Sequence, residues 1–366
     1  MKIAIDARPA LWDPTGIGKS VYNIIRNIRT QDPSNEYLFF FDQSPGRLGD
    51  ELGLQNCYYS CIKNNDLWTN IYFYNVLRSN KYNYFLTFLE RGFPILTRGT
   101  KGIVMICDLI PLTYPEDYFY SNIHKFLYRK YMQYVISKST KILTISRYSK
   151  ENLCQVFNID NNKVSVISLG YSPNAEKYDL YQTPSKIMEK YIFALGSSEP
   201  RKNNSNLIRA FNMLSEGMPE LRLVIGGRKW RGTHFPDDIL NNRIILTGAL
   251  SESELHDMYK NSAAFCLLSL YEGFGLPALE AMGHGVPLIL ANTSSLPEIA
   301  GDAAIYVDPN NIHDISIAIL NVLTNENLRN ELISKGRSRT RKFTWENTCR
   351  QIAFNINTTT SSCTSA

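Results

Sequence analysis

The chain of 366 residues has no hydrophobic run that could span a membrane, because no window approaches the roughly 18–20 consecutive apolar residues that a spanning helix needs. The sequence also lacks the basic segment and apolar core of a secretory signal, since Met1 leads directly into a strand-like Ile-Ala-Ile stretch. An integral membrane protein is therefore excluded, and we expect a cytoplasmic protein.

Cysteine is scarce and scattered along the chain. The seven cysteines are an odd number in a chain large enough to fold without disulfides, which favours a reducing compartment. Cys57 and Cys61 have the local spacing of a zinc pair, but no second Cys or His pair follows them. A tetrahedral zinc site is therefore disfavoured.

The two common glycine-rich phosphate motifs are also missing. Gly18-Lys19-Ser20 matches the end of a P-loop, but the first glycine of that motif would fall on Asp13, and the preceding strand ends near Ala7. No G-x-G-x-x-G occurs, which argues against a dinucleotide oxidoreductase. What remains is a glycine turn whose amides can contact an anion.

The excess of positive over negative charge lies entirely in the N-terminal half of the chain. Residues 1–170 carry 20 Lys and Arg against 14 Asp and Glu, whereas the remaining residues carry 19 against 20. Nucleic acid, an anionic membrane surface and a phosphorylated substrate would each suit such an excess. No nucleic-acid-binding motif is present, so we expect no nucleic-acid partner.

Twelve short β-branched or aromatic runs alternate with helix-length segments. Most are apolar on consecutive positions, as in parallel strands covered on both faces. They are residues 2–7, 37–41, 82–88, 102–109, 141–146, 163–168, 191–196, 221–227, 243–248, 263–269, 286–292 and 303–309. Because the polar stretch 171–190 indicates a linker, the pattern predicts an α/β protein of two Rossmann-like, doubly wound domains that face each other across a cleft.

The strongest candidate site is the segment 267–290, in which a strand, a glycine turn and a helix follow one another. Gly273 and Gly275 allow close approach of a ligand, and a helix that begins near Pro277 favours an anion at its start. Glu272 precedes the turn and Glu280 falls in the first helical turn, where both can accept hydrogen bonds from sugar hydroxyls. The alternatives are a solvated loop for Glu272 and dipole compensation for Glu280.

Two further turns carry candidate residues. Arg201 and Lys202 lie between a strand and a helix, where they can neutralise a diphosphate or form an ordinary solvated basic turn. Asp108 follows the fourth predicted strand and is a candidate orienting or proton-accepting group, with a capping role as the alternative.

These segments, in this order, resemble the retaining glycosyltransferases of family 4, and in particular a mannosyltransferase-like branch that serves bacterial surface polysaccharide synthesis. Glu272 to Glu280 reproduces the E-x7-E signature within E-G-F-G-L-P-A-L-E-A-M. The runs D-A-R-P…T-G-I-G, E-P-R-K-N, S-R-Y-S-K and V-I-S-L-G look like the same branch, as does the final F-T-W-E-N segment. The resemblance covers nearly the whole chain and implies the GT-B architecture.

The resemblance also implies roles for the acidic pair and the turn between them. Glu280 would hold the ribose hydroxyls of a nucleotide, and Glu272, as a catalytic residue, would hold hydroxyls of the donor sugar. The intervening turn would contact sugar and phosphate through Gly273, Phe274, Gly275 and Leu276.

On the same resemblance, Lys202 and the adjacent Arg201 would meet the donor diphosphate, while Gly16 and Gly18 would close over it from the opposite domain. Relatives commonly have His where this chain has Cys107, next to the candidate catalytic Asp108. Neutral cysteine does not replace an imidazole as a base. His284 stands where many relatives have a small residue, and we expect its presence to be incidental.

The expected transfer is metal-independent, because no Asp-x-Asp occurs to hold a metal-bound diphosphate. The resemblance implies that the transfer retains the anomeric configuration. No cofactor is expected beyond a nucleotide-sugar donor, with GDP-mannose favoured over a UDP-hexose or dTDP-rhamnose. We favour attack by the acceptor on the face that the diphosphate leaves, over a covalent intermediate. A non-catalytic sugar-nucleotide-binding protein is the alternative function.

The expected acceptor is a lipid-linked glycan or an oligosaccharide in O-antigen or capsule assembly. Residues 121–141 predict a helix that interleaves basic and aromatic side chains, which suits peripheral attachment to the cytoplasmic face of the inner membrane; an ordinary amphipathic helix is the alternative. We expect an N-terminal acceptor-binding domain over 1–175, joined by a returning helix over 343–357. A C-terminal donor-binding domain over 186–342 and a disordered tail over 358–366 complete the chain.

Overall fold

The computed structural model describes residues 1–11, 16–53, 57–59, 74–75, 77, 81–93, 99–172, 190–196, 198–228 and 234–361. The chain divides into two compact units. The N-terminal unit comprises Met1–Gly170 and Thr344–Ala366, and the C-terminal unit comprises Tyr171–Phe343. Most of the predicted linker 171–190 lies outside the described residues.

The N-terminal unit is built on a sheet of seven parallel strands in the order β3-β2-β1-β4-β5-β6-β7. The strands are β1 Lys2–Asp6, β2 Glu36–Phe41, β3 Cys57–Tyr59, β4 Tyr84–Thr87, β5 Lys101–Met105, β6 Ser139–Thr144 and β7 Val164–Val166. Strands β1, β2, β4 and β5 are buried on nearly every position, because helices cover both faces of the sheet.

The described helices of the N-terminal unit connect these strands and return at the end of the chain. They are α1 Gly16–Gln31, α2 Arg47–Glu51, α3 Ile110–Thr113, α4 Pro115–Tyr118, α5 Asn122–Lys138, α6 Arg147–Phe157 and α13 Trp345–Ser361. Helix α13 packs on α1, where the Cys349 thiol lies 3.6 Å from the Ile24 carbonyl oxygen. Thr348 also donates to the Ser168 carbonyl oxygen at 2.7 Å, which ties the returning helix to the end of the sheet.

The C-terminal unit has a sheet of six parallel strands in the order β10-β9-β8-β11-β12-β13. The strands are β8 Tyr191–Leu195, β9 Arg222–Gly226, β10 Ile244–Gly248, β11 Ala264–Leu267, β12 Leu288–Ala291 and β13 Ala304–Val307. Its described helices are α7 Asn204–Ser215, α8 Glu252–Lys260, α9 Leu276–Gly283, α10 Leu296–Ala300, α11 Ile312–Thr324 and α12 Glu326–Thr340. In both sheets the order of the strands therefore reverses beside the first strand, as it does in doubly wound folds.

All twelve predicted strands are present, and the described residues contain one further strand that was not predicted. Strand β3 has three residues and pairs only with β2 at the edge of its sheet, so its sequence lacks the long apolar run by which the others were found.

The prediction of a disordered tail from residue 358 was wrong for the residues described there, because α13 continues to Ser361. The threonine hydroxyls in this last part of the helix donate to backbone carbonyl oxygens four residues earlier. Thr358 reaches Phe354 at 2.9 Å and Thr359 reaches Asn355 at 2.6 Å. Residues 362–366 lie outside the described residues.

No helix among the described stretches combines the length and the apolar character that crossing a membrane requires.

Candidate functional site

The C-terminal unit brings the two predicted motifs together at the reversal point of its sheet. Strands β8 and β11 are neighbours, and the segments that follow them leave the sheet at the same, carboxyl edge. Ligands of open α/β sheets bind at such an edge. The basic turn follows β8 as a short 3₁₀ turn over Pro200–Lys202, and the Glu272 loop follows β11.

Glu272 and Lys202 form a close ion pair at this edge. The Lys202 ammonium donates to Glu272 Oε1 at 2.6 Å, and Arg201 Nη1 lies 3.4 Å from Glu272 Oε2. Only 8% of Glu272 is exposed to solvent. The aliphatic part of Lys202 crosses Gly196, where an added Cβ would lie 2.6 Å from Lys202 Cγ. Glycine at 196 therefore allows the ammonium to reach Glu272.

The charges of Lys202 and Arg201 keep the Glu272 carboxylate ionised. Burial by itself would raise the pKa of Glu272, but the charges of Lys202 and Arg201 outweigh that effect and hold the pKa below its ordinary value. A carboxylate that stays ionised is an acceptor on both oxygens, as hydrogen bonds from sugar hydroxyls require.

The Arg201 guanidinium is bonded mainly to other residues of the same unit. Its Nε and Nη2 donate to the two carboxylate oxygens of Glu199 at 2.9 and 3.1 Å, and Nη1 donates to the Tyr271 carbonyl oxygen. Its exposed fraction is 6%. The structure therefore shows Arg201 joining the two loops and supporting Glu272, while its contact with a diphosphate stays a prediction.

The glycine turn ends in a helix start without a side-chain cap. Gly275 adopts a φ of 102° and precedes α9, and an added Cβ there would lie 2.8 Å from Leu296 Cδ2. Phe274 is buried against Phe343 with ring centroids 5.9 Å apart. The Ser295 hydroxyl lies 2.9 and 2.8 Å from the carbonyl oxygens of Glu272 and Phe274, which fixes the loop.

Glu280 lies one residue further into α9 than predicted, which takes it out of the first turn. The helix begins at Leu276, so Glu280 is its fifth residue, and no acidic residue occupies the first turn. The prediction of a first-turn position was wrong because Gly275, rather than Leu276, caps the helix. Compensation of the helix dipole falls off within the first turn and so no longer accounts for this carboxylate. Glu280 is half-buried and accepts from the Tyr259 hydroxyl at 3.3 Å.

A cavity of about 420 Å³ opens beside the ends of neighbouring strands in the same unit. Its walls include Gly227 and Gly248, which follow or end β9 and β10, and Ser198 after β8. Polar side chains of His234, Asp237 and Thr247 line it together with Ile225, Phe235, Leu240 and Leu246. A cavity with apolar walls and a few polar groups is typical of a small-molecule site.

The N-terminal unit holds a second buried ion pair, between Asp6 and Arg8. The sequence predicted no role for these two residues, which belong to the D-A-R-P run. Arg8 donates from Nε and Nη2 to the two oxygens of Asp6, each at 2.8 Å. Thr87 donates to Asp6 Oδ2 at 3.1 Å. Asp6 ends β1 and Thr87 ends β4, the strands beside which this sheet reverses direction. The strand-end position of Asp6 and the arginine two residues later are the signal that would have found it.

The glycines predicted to close over a diphosphate lie at the start of a helix. Gly16 is the first residue of α1 and is exposed, whereas Gly18 is buried. Residues 12–15, which precede them, lie outside the described residues, so the anion contact of Gly16 and Gly18 stays a prediction.

Asp108 has a structural partner in the N-terminal unit. Its Oδ1 accepts from the Ile110 amide at 3.0 Å, which supports the start of α3. Burial, followed by the charges of Asp108 and Glu90, raises the pKa of the Cys107 thiol, so this residue is a neutral neighbour of Asp108. A catalytic role of Asp108 stays a prediction.

Within the described part of the chain, no group of three or more His, Cys, Asp or Glu side chains is arranged to hold a metal ion.

Comparisons with known proteins show which family, sequences and folds the chain resembles. Residues 175–339 match the family model described as glycosyl transferases group 1. The chain is 32% identical over 226 residues to the O-antigen chain mannosyltransferase B of Escherichia coli, which covers 57% of this chain and 58% of that protein. It is 28% identical over 232 residues to the O-antigen chain mannosyltransferase RfbU of Salmonella typhimurium, which covers 63% of this chain and 62% of that protein. The chain thus spans less than two thirds of the length of either relative.

Among solved structures, Anabaena Alr3699/HepE, determined in complex with UDP-glucose, superposes with a TM-score of 0.74 at 15% identity over 98% of this chain and 100% of that one. Together with the two doubly wound sheets, this likeness confirms the predicted GT-B fold. The resemblance to the glycosyltransferases, and among them to O-antigen mannosyltransferases, is confirmed as well.

Proposed function

We propose that the chain is a retaining, metal-independent glycosyltransferase that moves a hexose, best mannose from GDP-mannose, onto a lipid-linked glycan or oligosaccharide acceptor in O-antigen-type or capsule-type polysaccharide assembly. The observation that carries the proposal is the Lys202–Glu272 pair at the reversal point of the C-terminal sheet. A cation and an ionised carboxylate at 2.6 Å supply the two kinds of group that a sugar diphosphate requires. The named relatives support mannose as the sugar.

The chemistry assigned to these residues is charge stabilisation and orientation. The acceptor hydroxyl oxygen forms a bond to the anomeric carbon while the bond from that carbon to the diphosphate oxygen breaks. The hydroxyl proton passes to the departing phosphate oxygen. Lys202 stabilises the charge that develops on the diphosphate, and Glu272 orients the sugar through its hydroxyls. Glu280 holds the ribose.

A transfer assay with single substitutions tests the site. We expect Lys202→Ala and Glu272→Ala each to lower kcat by about 100-fold, because each removes a group that stabilises or orients the transition state. Glu280→Ala should raise the donor KM by about tenfold. Lys335→Ala is the matched control for Lys202, since Lys335 pairs with Glu331 at 2.6 Å but on the exposed surface. Near-wild-type transfer in all three site variants would contradict the assignment.

The same assay separates the finer parts of the proposal. Donors GDP-mannose, UDP-glucose and dTDP-rhamnose are compared, and the anomeric configuration of the product is read by NMR. Transfer should persist in EDTA. A protein that binds a nucleotide sugar, as calorimetry would show, but transfers it to no acceptor would instead support the non-catalytic alternative.

The acceptor side of the proposal rests on an exposed surface of α5. Its first two turns expose Ile123, Phe126 and Leu127 by 70%, 58% and 56%, and Tyr120 just before the helix by 90%. We refer to these four residues as the α5 apolar patch. Lys125, Arg129 and Lys130 interleave with it, and the Lys130 ammonium lies 5.6 Å from the centre of the Phe126 ring. Apolar side chains flanked by cations suit an anionic lipid interface.

Flotation with liposomes tests this attachment. The full chain should float with vesicles that contain anionic phospholipid and less with neutral ones. Ile123→Ser combined with Leu127→Ser should reduce flotation by about tenfold, because both side chains leave the interface. Ile317→Ser is the control, since Ile317 is 45% exposed in the other unit. Equal recovery of all proteins, independent of lipid charge and salt, would contradict membrane attachment.

A further inference from the structure

A buried cluster of aromatic and imidazole rings lies beneath Glu280. The Tyr259 hydroxyl donates to Glu280 Oε2 at 3.3 Å, and only 1% of Tyr259 is exposed. Its ring is fixed by edge contacts with Phe193 and Phe265, at centroid distances of 5.3 and 5.2 Å. The hydroxyl is therefore held at one place and cannot follow Glu280 if the carboxylate rotates.

His284 contacts the same glutamate through the Glu280 backbone carbonyl group. Its ring stacks on Tyr259 with centroids 5.2 Å apart and an interplanar angle of 26°. Nδ1 lies 2.8 Å from the Glu280 carbonyl oxygen, and because a carbonyl only accepts, Nδ1 carries the proton. In the neutral ring Nε2 is then an acceptor, and Nδ1 of the buried His256, 2.9 Å away, donates to it.

This arrangement gives one oxygen of the Glu280 carboxylate a fixed hydrogen-bond donor. A glutamate side chain on a helix surface samples several rotamers, and fixing it costs conformational entropy at the moment a ligand binds. A rigid buried donor on one carboxylate oxygen selects the rotamer in advance, which is the requirement for a preorganised binding group. His284 adds to the rigidity by bonding the helix end to which it belongs.

On these contacts, and resting on the proposed function, we propose that Tyr259 is a positioning residue that orients the Glu280 carboxylate toward the ribose hydroxyls of the donor nucleotide, with His284 supporting Tyr259. The role belongs to a buried layer outside the E-x7-E segment that carries the acidic pair. Tyr259 itself contacts Glu280 and is assigned no contact with the donor.

Tyr259→Phe tests the proposal with the loss of one oxygen atom and no loss of ring packing. We expect the donor KM and the dissociation constant of GDP to rise by about five- to tenfold, as for loss of a hydrogen bond to a charged group, with kcat within about twofold of wild type. The effect should disappear in a Glu280→Ala background, because there the hydroxyl has nothing left to orient.

A matched control separates positioning from stability. Tyr191 is equally buried in the same unit, and its hydroxyl donates to the Met258 carbonyl oxygen at 3.0 Å rather than to Glu280. Tyr191→Phe should lower the melting temperature about as much as Tyr259→Phe and leave the dissociation constant of GDP unchanged.

The ligand supplies a second readout that a merely structural role would not move. Calorimetric titration with 2′,3′-dideoxy-GDP, which lacks both ribose hydroxyls, should give the same dissociation constant for wild type and Tyr259→Phe. UDP and 2′,3′-dideoxy-UDP form a parallel pair with the same ribose difference. A loss of affinity equal for nucleotide and dideoxynucleotide would overturn the proposal.

The outcomes distinguish this inference from the function on which it rests. If Glu280→Ala leaves GDP binding unchanged, the proposed role of Glu280 fails and this proposal fails with it. If Glu280→Ala weakens binding but Tyr259→Phe stays within twofold of wild type, only the positioning role is overturned. Should Tyr259→Phe not fold, His284→Ala is judged by the same comparison of GDP with its dideoxy analogue.

Discussion

At the scale of single residues, the central feature is a carboxylate buried beside two cations. Burying an ion costs several kcal/mol unless charges and hydrogen bonds offset it, and Glu272 receives both from Lys202 and Arg201. An apolar core would give stability with less demand on geometry. The placement of three charged side chains at a sheet edge therefore favours the proposed polar ligand over a role in folding alone.

Replacing this carboxylate by its neutral isostere tests the energetic part of that argument. Glu272→Gln leaves Lys202 without its counter-charge, while Arg201 keeps its bonds to Glu199. The free energy of unfolding of the C-terminal unit at pH 7 should therefore fall by about 3 kcal/mol. Denaturant unfolding followed by hydrogen exchange measures it. Glu331→Gln, which breaks the exposed pair with Lys335, should leave that free energy nearly unchanged.

The same pair predicts a pH dependence. The pKa of Glu272 is lowered in the folded chain from an ordinary value of 4.5, so its contribution to stability is complete above that value and is lost as the pH falls toward the folded pKa. Wild type and Glu272→Gln should therefore differ most above pH 4.5 and converge as the pH falls through the lowered folded pKa. A difference that stays constant across this range would show that folding does not lower the pKa of Glu272.

At the scale of elements, apolar runs located the strands because a strand covered on both faces leaves no polar positions. The sequence did not indicate β3, Cys57–Tyr59, since a strand of three residues is too short to show a run of apolar positions. It placed Glu280 in the first helical turn because the glycine cap was not identified. Helix α13 continues through Thr358 and Thr359, beyond the residue at which composition alone would end it.

The candidate site was predictable to the extent that its residues lie within a few positions of a strand end. Glu272 and Lys202 are separated by 70 positions, yet parallel strands bring them to one edge. Tyr259 and His256 were missed, because they lie on α8 and reach the site only through packing against α9. Such packing has no local sequence pattern.

A 3₁₀ turn over Glu90–Gly92 packs directly on the Asp6–Arg8 pair, which makes glycine necessary there. An added Cβ at Gly92 would lie 2.3 Å from Asp6 Oδ2 and 2.5 Å from Thr87 Oγ1. We expect Gly92→Ala to lower the free energy of unfolding of the N-terminal unit by about 3 kcal/mol, because the buried ion pair must separate. Gly217→Ala is the control, since the nearest atom to its added Cβ is 3.8 Å away. Equal melting temperatures for the two variants would contradict this packing.

At the scale of the whole molecule, the two units repeat one plan. Each sheet places its first strand beside its fourth, and each of these junctions ends in an acidic and a basic side chain in contact: Asp6 with Arg8, and Glu272 with Lys202. The two pairs differ in how far the basic side chain is open to a ligand. Arg8 uses a bidentate bond within a fully buried network, whereas Lys202 is a single ammonium with 14% of its side chain exposed.

The units also differ in how they are completed, because only the N-terminal unit takes up a segment from the far end of the chain. Helix α13 buries Trp345, Cys349, Ile352 and Ile356 almost completely. At about 2 kcal/mol for each such side chain, their burial is comparable with the net stability of a whole domain. The backbone also closes tightly at the return, since an added Cβ at Gly170 would lie 2.4 Å from the Trp345 amide nitrogen. The N-terminal unit should therefore require α13 to fold.

Truncation tests this dependence. A chain that ends at Phe343 should lose hydrogen-exchange protection in β1, α1 and β2, because α1 loses the helix that covers it, while β8, β11 and β12 keep theirs. Exchange is measured by mass spectrometry, which reports each unit separately where a single melting temperature would not be well defined. A chain that ends at Ser361 keeps all of α13 and serves as the control. Adding a peptide of residues 344–361 should restore protection to α1, because the contacts it makes are non-covalent. Full protection of α1 without the helix would show that the N-terminal unit is complete by Gly170.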